Sequence, residues 1–260
     1  MDVADRLSGK GTNLDVEVRS SQTADRLEAN HDWTILDWGE VPYEEALARQ
    51  LALSDVVIGD RRQKFLVFCS HPPVVTVGRR RVEGDVFAWD GPLIEVNRGG
   101  RATYHGPNQL VIYPILSLDP ILSLGGDCLP LRPRDIGQYV RLLEQIMVRA
   151  LARLTISASG KRDIELLDES GRTLETTGIW VGERKLGSVG VAVRQWVAYH
   201  GIALNMLEDA NAFKGIHPCG FNRSIMTSVE RELGRPVARA EVVRLIRAGF
   251  IDANRETMNS

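Results

Sequence analysis

The sequence has few cysteines and no long apolar stretch, and both absences exclude classes of protein. Its 260 residues include three cysteines, Cys69, Cys128 and Cys219. They are too few and too far apart for a disulfide framework or a zinc site, and they suit a reducing compartment. No segment approaches the roughly 18 consecutive apolar residues of a membrane helix, and the charged N-terminus lacks the apolar core of a secretory signal. We therefore expect a cytoplasmic protein without a metal site or a membrane span.

An excess of positive charge is absent too. The chain has 32 Lys and Arg residues and 34 Asp and Glu residues, which gives a net charge of −2. Nothing in this balance predicts binding to nucleic acid. Its 43% hydrophobic and 25% charged residues are typical of a globular protein. We expect one domain over residues 31–256, after a flexible leader over residues 1–30 that mixes both charges and has no aromatic residue.

Short apolar runs predict most of the strands. Before the middle of the chain these runs are TILDWG, KFLVFCS, PVVTVG, PLIEVNRGG and QLVIYPILSL. A glycine-rich loop separates the last two, and a long loop is expected over residues 119–134. In the second half, the hairpin TGIWV-GE-RKLGSVGVAV is the clearest of several short strands.

Helical patterns lie between and after these runs. VPYEEALARQLALSDVVIGD predicts one helix, and DIGQYVRLLEQIMVRALARL predicts another with Asp135 as its N-cap and Ile136 in its apolar stripe. SIMTSVERELG and PVARAEVVRLIRAGFIDA are also typical of helices. Because strands and helices are partly segregated, the order predicts an α+β fold, an α/β arrangement with a mixed sheet in a single domain.

Two glycine turns, Gly99-Gly100 and Gly106-Pro107, bracket a polar segment from Arg101 to His105. Glycines let the backbone approach a ligand closely, so polar side chains between two such turns can share one pocket. A hairpin with polar decoration explains the pattern equally well. The segment precedes a strand and not a helix, so it is not a dinucleotide fingerprint.

Cys219 stands in the turn-like segment HPCGF. Pro218 restricts the backbone on one side, Gly220 frees it on the other, and such a turn can present a thiol rigidly. The alternative is a small buried hydrophobe, which is the usual role of a lone intracellular cysteine. We assign that role to Cys69 and Cys128, which lack a comparable frame.

Lys185 begins the strand segment KLGSVG, in which Gly187, Ser188 and Gly190 leave little side-chain bulk. Small residues weaken a strand but make room for an extended ligand such as an acyl chain. By residue type, a solvated strand lysine is the better interpretation of Lys185. A lysine near a cysteine would instead favour the thiolate by Coulomb attraction.

The remaining basic and histidine signals are weaker. The run of arginines at residues 79–81 predicts a solvated loop, or a positive rim for an acidic partner together with Arg98, Arg101 and Lys185. His200 is typical of a hydrogen-bonded turn histidine. His71, which precedes two prolines, is interpreted as structural.

Several of these segments, taken in order, resemble lipoyl(octanoyl) transferases: HPPVVTVG, RGGRATYHGPNQLVIYP, KLGSVG, YHGIALN and IHPCG. The resemblance covers most of the chain after the leader. It implies transfer of an octanoyl group from octanoyl-acyl carrier protein to a lysine on lipoyl domains. The acceptors would be the E2 subunits of 2-oxoacid dehydrogenases and the glycine cleavage H protein. It further implies a fold similar to lipoate–protein ligases and to the catalytic domain of biotin–protein ligases, with no cofactor.

The resemblance also implies roles for particular residues. Cys219 matches the nucleophile that carries the acyl group as a thioester, and Lys185 matches the lysine that keeps this thiol reactive. The residues that match substrate-binding segments are Arg98, Gly99, Gly100, Arg101, Ala102, Thr103, Tyr104, His105, Ser188, Val189, Gly190, His200, Gly201 and Ile202. One departure is Asn108, where the family usually has glycine; asparagine is the best tolerated replacement if this position needs positive φ.

Three other functions stay open. An ATP-dependent lipoate or biotin ligase on the same fold would need an adenylate-binding loop and no cysteine nucleophile. An amidotransferase that moves octanoyl between lipoyl-type domains would ignore the carrier protein. A non-catalytic acyl-binding protein would need neither Cys219 nor Lys185.

Overall fold

Strands and helices fill most of the part of the chain that the computed structural model describes, which is residues 26–30, 33–119, 133–161, 166–167, 173–174 and 176–255. The strands are β1 (Arg26–Asn30), β2 (Trp33–Glu40), β3 (Phe65–Ser70), β4 (Val74–Val77), β5 (Leu93–Glu95), β6 (Ala102–His105), β7 (Gln109–Ser117), β8 (Ser159–Lys161), β9 (Leu166–Leu167), β10 (Thr173–Leu174), β11 (Gly178–Val181), β12 (Arg184–Arg194) and β13 (Val197–Asn205). The helices are α1 (Tyr43–Gly59), α2 (Ile136–Ala152), α3 (Val229–Leu233) and α4 (Arg239–Arg255).

The main sheet is mixed, as the sequence predicted. Its eight strands lie in the order β1-β2-β3-β7-β13-β12-β11-β8. Strands β2 and β3 pair in parallel through the α1 crossover, and the other neighbours pair antiparallel. A small sheet of order β5-β4-β6 packs beside it. The whole forms one mixed α/β domain, which confirms the predicted fold class.

The core lies on both faces of the main sheet because side chains alternate along each strand. In β3, Leu66 and Phe68 join the apolar cluster formed with helices α2 and α4. Phe65, Val67 and Cys69 join the cluster that packs against helix α1. A strand that is buried on both faces has a continuous apolar sequence, and FLVFCS has that pattern.

Most of the predicted elements are confirmed. Asp135 is the N-cap of α2, and its Oδ1 accepts a 2.8 Å hydrogen bond from the Gln138 N–H. The β11–β12 hairpin turns at Gly182, whose φ is +57°. β1 lies within the segment predicted as a leader and pairs with β2. Some predictions fall outside the described residues: those for leader residues 1–25, for His31, and for residues 120–132 of the predicted loop, which include Cys128. The bounds of the domain stay a prediction.

Three local predictions were wrong. Residues 102–105 form strand β6, paired with β4, where a loop was expected. SIMTSVERELG does not form one helix: its first two residues belong to a 3-10 helix over Arg223–Ile225, and α3 begins only after its N-cap Ser228. Ile136 is 41% exposed and lies outside the apolar face of α2, since it is the first residue of the helix. Among the described residues, no helix has the length and apolarity to span a membrane.

Leu143→Ala should reduce the free energy of unfolding by about 2–5 kcal/mol, because it leaves a cavity among residues of α2 that are fully buried. Urea unfolding followed by circular dichroism measures the change. The control is Val56→Ala on the exposed side of α1, which should alter stability by less than about 0.5 kcal/mol. Equal effects of the two substitutions would contradict this assignment of the core.

Candidate active site

Cys219 occupies a strained turn. It is the middle residue of a 3-10 turn, Pro218–Gly220, and its φ of 56° and ψ of 22° are left-handed. A side chain in that region costs on the order of 1–3 kcal/mol, so the surroundings must hold it there. The Gly220 N–H donates to the His217 carbonyl at 3.0 Å, and the Phe221 N–H donates to Pro218 at the same distance. Cys219 is 8% exposed, so the thiol is presented by a closed turn.

A narrow cavity of about 40 Å³, partly open to solvent, lies beside Cys219. Several separate parts of the chain meet there. The residues that line it with Cys219 are Tyr43, Arg98, Gly100, Thr103, His105, Val111, Tyr113, Thr177, Ser188, Val189, Gly190, His200, Gly201, Ile202 and Ala203. A concave site with apolar walls and a few converging polar groups is typical of a small-ligand site.

The main sheet is open locally where it meets this cavity. Strands β7 and β13 pair at Leu116↔Ala198 and again at Ile112↔Ile202, and between these pairs Pro114 lies opposite His200. Proline has no N–H to donate, so the ladder is interrupted in a central strand. His200 takes a φ of 58°, and its own N–H donates to the Gln50 side chain at 2.9 Å. This break turns the His200 ring towards the cavity.

Two residues of the cavity wall, Gly190 and Gly201, are packed too closely against other parts of the protein to carry a side chain without a shift. A Cβ on Gly201 would come within 2.3 Å of the Ile112 carbonyl oxygen, so that a side chain does not fit there. A Cβ on Gly190 would lie 3.2 Å from the Arg98 side chain. Arg98 packs flat against this strand and donates to Thr76 and Gly99 at 2.9 Å.

Three histidines form a buried cluster at the cavity. The rings of His71 and His105 are 5.7 Å apart, and Tyr43 stacks on His105 and on His200 at 5.5 and 6.5 Å. His71 is held by the Val41 carbonyl at 2.7 Å and the Tyr113 hydroxyl at 2.8 Å, which fits the structural role expected for it. In the described part of the chain, neither ring nitrogen of His200 has a hydrogen-bond partner.

Burial keeps these imidazoles uncharged. Loss of solvation lowers the pKa of His71 to about 4. Burial lowers the pKa of His200 to about 3, with a further contribution from the Arg98 charge. The pKa of His105 is also held well below its usual range, chiefly by burial. The imidazoles therefore add no charge to the cavity near pH 7, and the charged side chain among the lining residues is Arg98.

Lys185 is fully buried, so the expectation of a solvated strand lysine was wrong. Its Nζ lies 5.4 Å from the centre of the Trp180 ring and 5.9 Å from that of Phe221. The Lys185 carbonyl accepts a 3.0 Å hydrogen bond from the Thr227 N–H. Phe221 follows Cys219 by two residues, so Lys185 borders the cysteine turn, although it does not line the cavity itself.

Ten of the fourteen predicted substrate-binding residues line the cavity with Cys219, and their role in binding stays a prediction. Tyr104 points to the other side of β6, where its ring contacts Trp89 and Phe213. The side chain of Arg101 pairs with Asp85. Gly99 and Ala102 do not line the cavity, although each is adjacent in sequence to residues that do. Asn108 does not have the positive φ that the sequence comparison suggested for this position.

The sequence did not single out five of the lining residues: Tyr43, Val111, Tyr113, Thr177 and Ala203. Val111 and Ala203 carry only the apolar pattern of a strand, and Tyr43 begins an ordinary helix. The nearest signal was Pro114 inside an apolar run, because a proline in a central strand indicates a break in the ladder.

Three of the six residues predicted to form an exposed positive rim are not exposed. Arg98, Arg101 and Lys185 are buried, because each has partners inside the protein. Residues 79–81 are exposed. Within them, Arg81 pairs with Glu95 and Arg79 donates to the Asn97 side chain.

The buried histidines predict a loss of stability in acid. The unfolded chain protonates His71 near pH 6.5 and the folded protein only near pH 4, so the unfolded state binds more protons between these values. Stability should therefore fall by about 3 kcal/mol for this residue as the pH falls through that window. In His71→Gln the free energy of unfolding, measured in urea from pH 4 to 7, should depend less steeply on pH. If the free energy of unfolding depended on pH equally in the two proteins, the lowered pKa of His71 would be contradicted.

Comparisons with known proteins show the family to which this chain belongs. The sequence model of the lipoyl protein ligase A/B catalytic domain matches residues 42–251. The octanoyltransferase of Bdellovibrio bacteriovorus is 44% identical over 206 residues, which cover 79% of this chain and 91% of that protein. The octanoyltransferase of Geobacter sulfurreducens is 39% identical over 216 residues, which cover 83% of this chain and 82% of that protein.

Solved structures show the same fold. Lipoate-protein ligase A bound with ATP superposes with a TM-score of 0.61 at 19% identity, over 86% of this chain and 85% of that one. A bi-partite lipoate protein ligase from Thermoplasma acidophilum superposes with a TM-score of 0.57 at 20% identity, over 86% and 84% of the two chains. With the family match and the octanoyltransferase relatives, the chain belongs to the lipoyl protein ligase A/B catalytic domain family and is an acyltransferase.

Proposed function

We propose that this enzyme moves an octanoyl group from octanoyl-acyl carrier protein to a lysine side chain of lipoyl domains, through a thioester on Cys219. One observation carries the proposal: Cys219 sits in a strained, closed turn and lines one cavity with residues from all three segments of the transferase motif. A cysteine that serves only as a core hydrophobe has no need of a left-handed backbone beside a cavity.

In the first half reaction, the Cys219 thiolate attacks the thioester carbonyl of the donor. The carbon–sulfur bond to the carrier's thiol breaks, and that sulfur leaves and takes up a proton. One thioester replaces another, so the exchange is nearly balanced in free energy and needs no ATP. The carrier thiol departs through the open end of the cavity.

In the second half reaction, the neutral amine of the acceptor lysine attacks the octanoyl-Cys219 carbonyl. The carbon–sulfur bond breaks, an amide forms, and the amine proton is transferred to a base while Cys219 regains its thiolate. A neutral Lys185 would accept this proton, after first stabilising the thiolate as an ammonium ion. Its burial behind Phe221 supports a role close to the thiol.

The negative charge on the tetrahedral oxygen needs hydrogen-bond donors. The Gly220 N–H already donates to His217 and that of Phe221 to Pro218. This favours the 98–105 segment as the source of donors, since its Gly100 lines the cavity.

The walls suit a medium linear acyl chain. Val111, Val189, Ile202 and Ala203 supply apolar surface along the cavity. Gly190 and Gly201 line the same wall without adding a side chain to it. Burying each methylene of the chain contributes about 0.8 kcal/mol, which favours octanoyl over shorter groups.

Lipoyl domains are the proposed acceptors, among them the E2 subunits of 2-oxoacid dehydrogenases and the glycine cleavage H protein. The Thermoplasma acidophilum ligase was solved as part of a system with its E2 lipoyl domain, which supports this class of acceptor for the shared fold. We place the reaction in the cytoplasm, because the free thiols of Cys69 and Cys219 persist in a reducing compartment.

The main rival is an ATP-dependent ligase, since lipoate-protein ligase A has this fold and was solved with ATP. A ligase activates its acid as an adenylate and needs no cysteine nucleophile. The octanoyltransferase relatives and the position of Cys219 favour the transferase.

Incubation of the protein with octanoyl-acyl carrier protein alone should add the mass of one octanoyl group, because the thioester donor is already activated. Intact-protein mass spectrometry measures the adduct. It should be absent in Cys219→Ala and retained in the matched control Cys69→Ala. An adduct that forms only with ATP and octanoate would instead identify a ligase.

Iodoacetamide should alkylate Cys219 of Lys185→Ala about tenfold more slowly than Cys219 of the wild type near pH 7, because the ammonium group that favours the thiolate is removed. Peptide mass spectrometry follows each thiol separately. Lys161→Ala is the matched control, because the Lys161 Nζ also lies over the Trp180 ring, at 4.5 Å. Equal rates in all three proteins would remove the electrostatic role of Lys185.

A further inference from the structure

Asp85 and Arg101 form a buried ion pair beside the cysteine turn. Asp85 is 2% exposed and Arg101 is 4% exposed. The Arg101 Nε donates to both carboxylate oxygens, at 3.0 and 3.1 Å, and Nη2 donates to Oδ1. Asp85 Oδ2 also accepts from the Val82 N–H at 2.9 Å. Such a pair is costly to desolvate and adds little stability by itself, so its retention calls for another reason.

The Asp85 end of the pair holds the chain that enters the turn. The backbone carbonyl of Asp85, whose carboxylate is held by Arg101, accepts the His217 N–H at 2.8 Å, immediately before Pro218. The next residue pairs with Ile216 in a β-bridge, and the Phe87 ring packs on the His217 ring at 4.8 Å. The residues that lead into the turn, Ile216 and His217, therefore pack on and hydrogen-bond to the segment that carries Asp85.

The Arg101 end supports the chain that leaves the turn. A Cβ added to Gly220 would lie 2.3 Å from Arg101 Nη1 and 2.7 Å from Cζ, so the guanidinium lies directly against the Gly220 backbone. Gly220 has a φ of +89°. The backbone of Asp85 thus holds His217, and the Arg101 guanidinium that its carboxylate orients lies against Gly220. Cys219, whose own backbone is left-handed, lies between these two contacts.

We propose that the Asp85–Arg101 pair is a positioning device that holds the Cys219 turn in its strained conformation and so aims the thiol at the acyl carbonyl. Neither residue acts on the substrate directly in this proposal. It rests on the proposed role of Cys219 and adds two residues to it, since the sequence interpretation took Arg101 for a substrate contact and passed over Asp85. Asp85 follows an exposed loop of mixed charge, and nothing local distinguishes it.

The test is the double variant Asp85→Asn with Arg101→Gln, which removes both charges and leaves no unpaired charge in the interior. The summed charge of the pair is zero before and after, so the thiol's charge environment is nearly preserved. Three rates are measured: octanoylation of Cys219 by octanoyl-acyl carrier protein in a single turnover, and alkylation of Cys219 and of Cys69 by iodoacetamide from pH 6 to 9. Cys69 is fully buried in the core, so its alkylation reports unfolding.

We expect octanoylation to slow at least about tenfold, because a misplaced nucleophile loses its alignment with the carbonyl. Alkylation of Cys219 should become about threefold faster or more, because a loosened turn exposes the thiol to a small reagent. The pH midpoint of that alkylation and the rate at Cys69 should stay as in the wild type. The control variant, Glu45→Gln with Arg49→Gln, removes an exposed ion pair on α1 and should match the wild type throughout.

The proposal is overturned if octanoylation and alkylation of Cys219 both stay at wild-type rates, or if both fall in parallel. It is also overturned if Cys69 alkylation rises with that of Cys219, because the pair would then only stabilise the fold. A wild-type protein that forms no octanoyl adduct would instead defeat the proposed function, and the alkylation of Cys219 would still decide the role of the pair.

Discussion

The left-handed backbone of Cys219 is the constraint on which the rest of the site depends. A cysteine does not hold that conformation unaided, so the turn must be fastened from both sides. Pro218 and the hydrogen bonds of His217 and Phe221 close it locally. Asp85 and Arg101 reach it from other parts of the chain. The proposed nucleophile is thus placed by long-range packing, while the residues beside it supply only the permissive backbone.

A second constraint acts in the main sheet, where Pro114 interrupts the β7–β13 ladder opposite His200. The break costs backbone hydrogen bonds in the middle of the domain. In return it opens space between two central strands and turns an imidazole into it. Gly201 is needed beside the break, because a Cβ there would collide with the carbonyl oxygen of Ile112. The sheet is therefore continuous where it supports the fold and open where it borders the cavity.

The imidazoles at the cavity are uncharged, which would allow the proposed acyl ligand to lie against polar side chains. Burial lowers the pKa of His71 to about 4 and that of His200 to about 3, so both are neutral near pH 7. Neutral rings can pack against methylene groups at much lower cost than charged ones. The same burial makes the fold sensitive to acid. The proposed acyl binding and the predicted acid sensitivity thus have one physical cause.

Local sequence determined most of the strands, the main helices, the fold class and a candidate nucleophile, although it missed β6. The continuous apolar run FLVFCS, the Asp135 cap and the Pro-Cys-Gly turn are all properties of a few adjacent residues, so they can be interpreted without the rest of the chain. Only the tertiary structure decided that Lys185 is buried, that Tyr43 and Tyr113 line the cavity, and that Arg101 pairs with Asp85. Those facts depend on which distant segments meet, and a side chain's solvation and partners are set by that meeting and not by its neighbours in sequence.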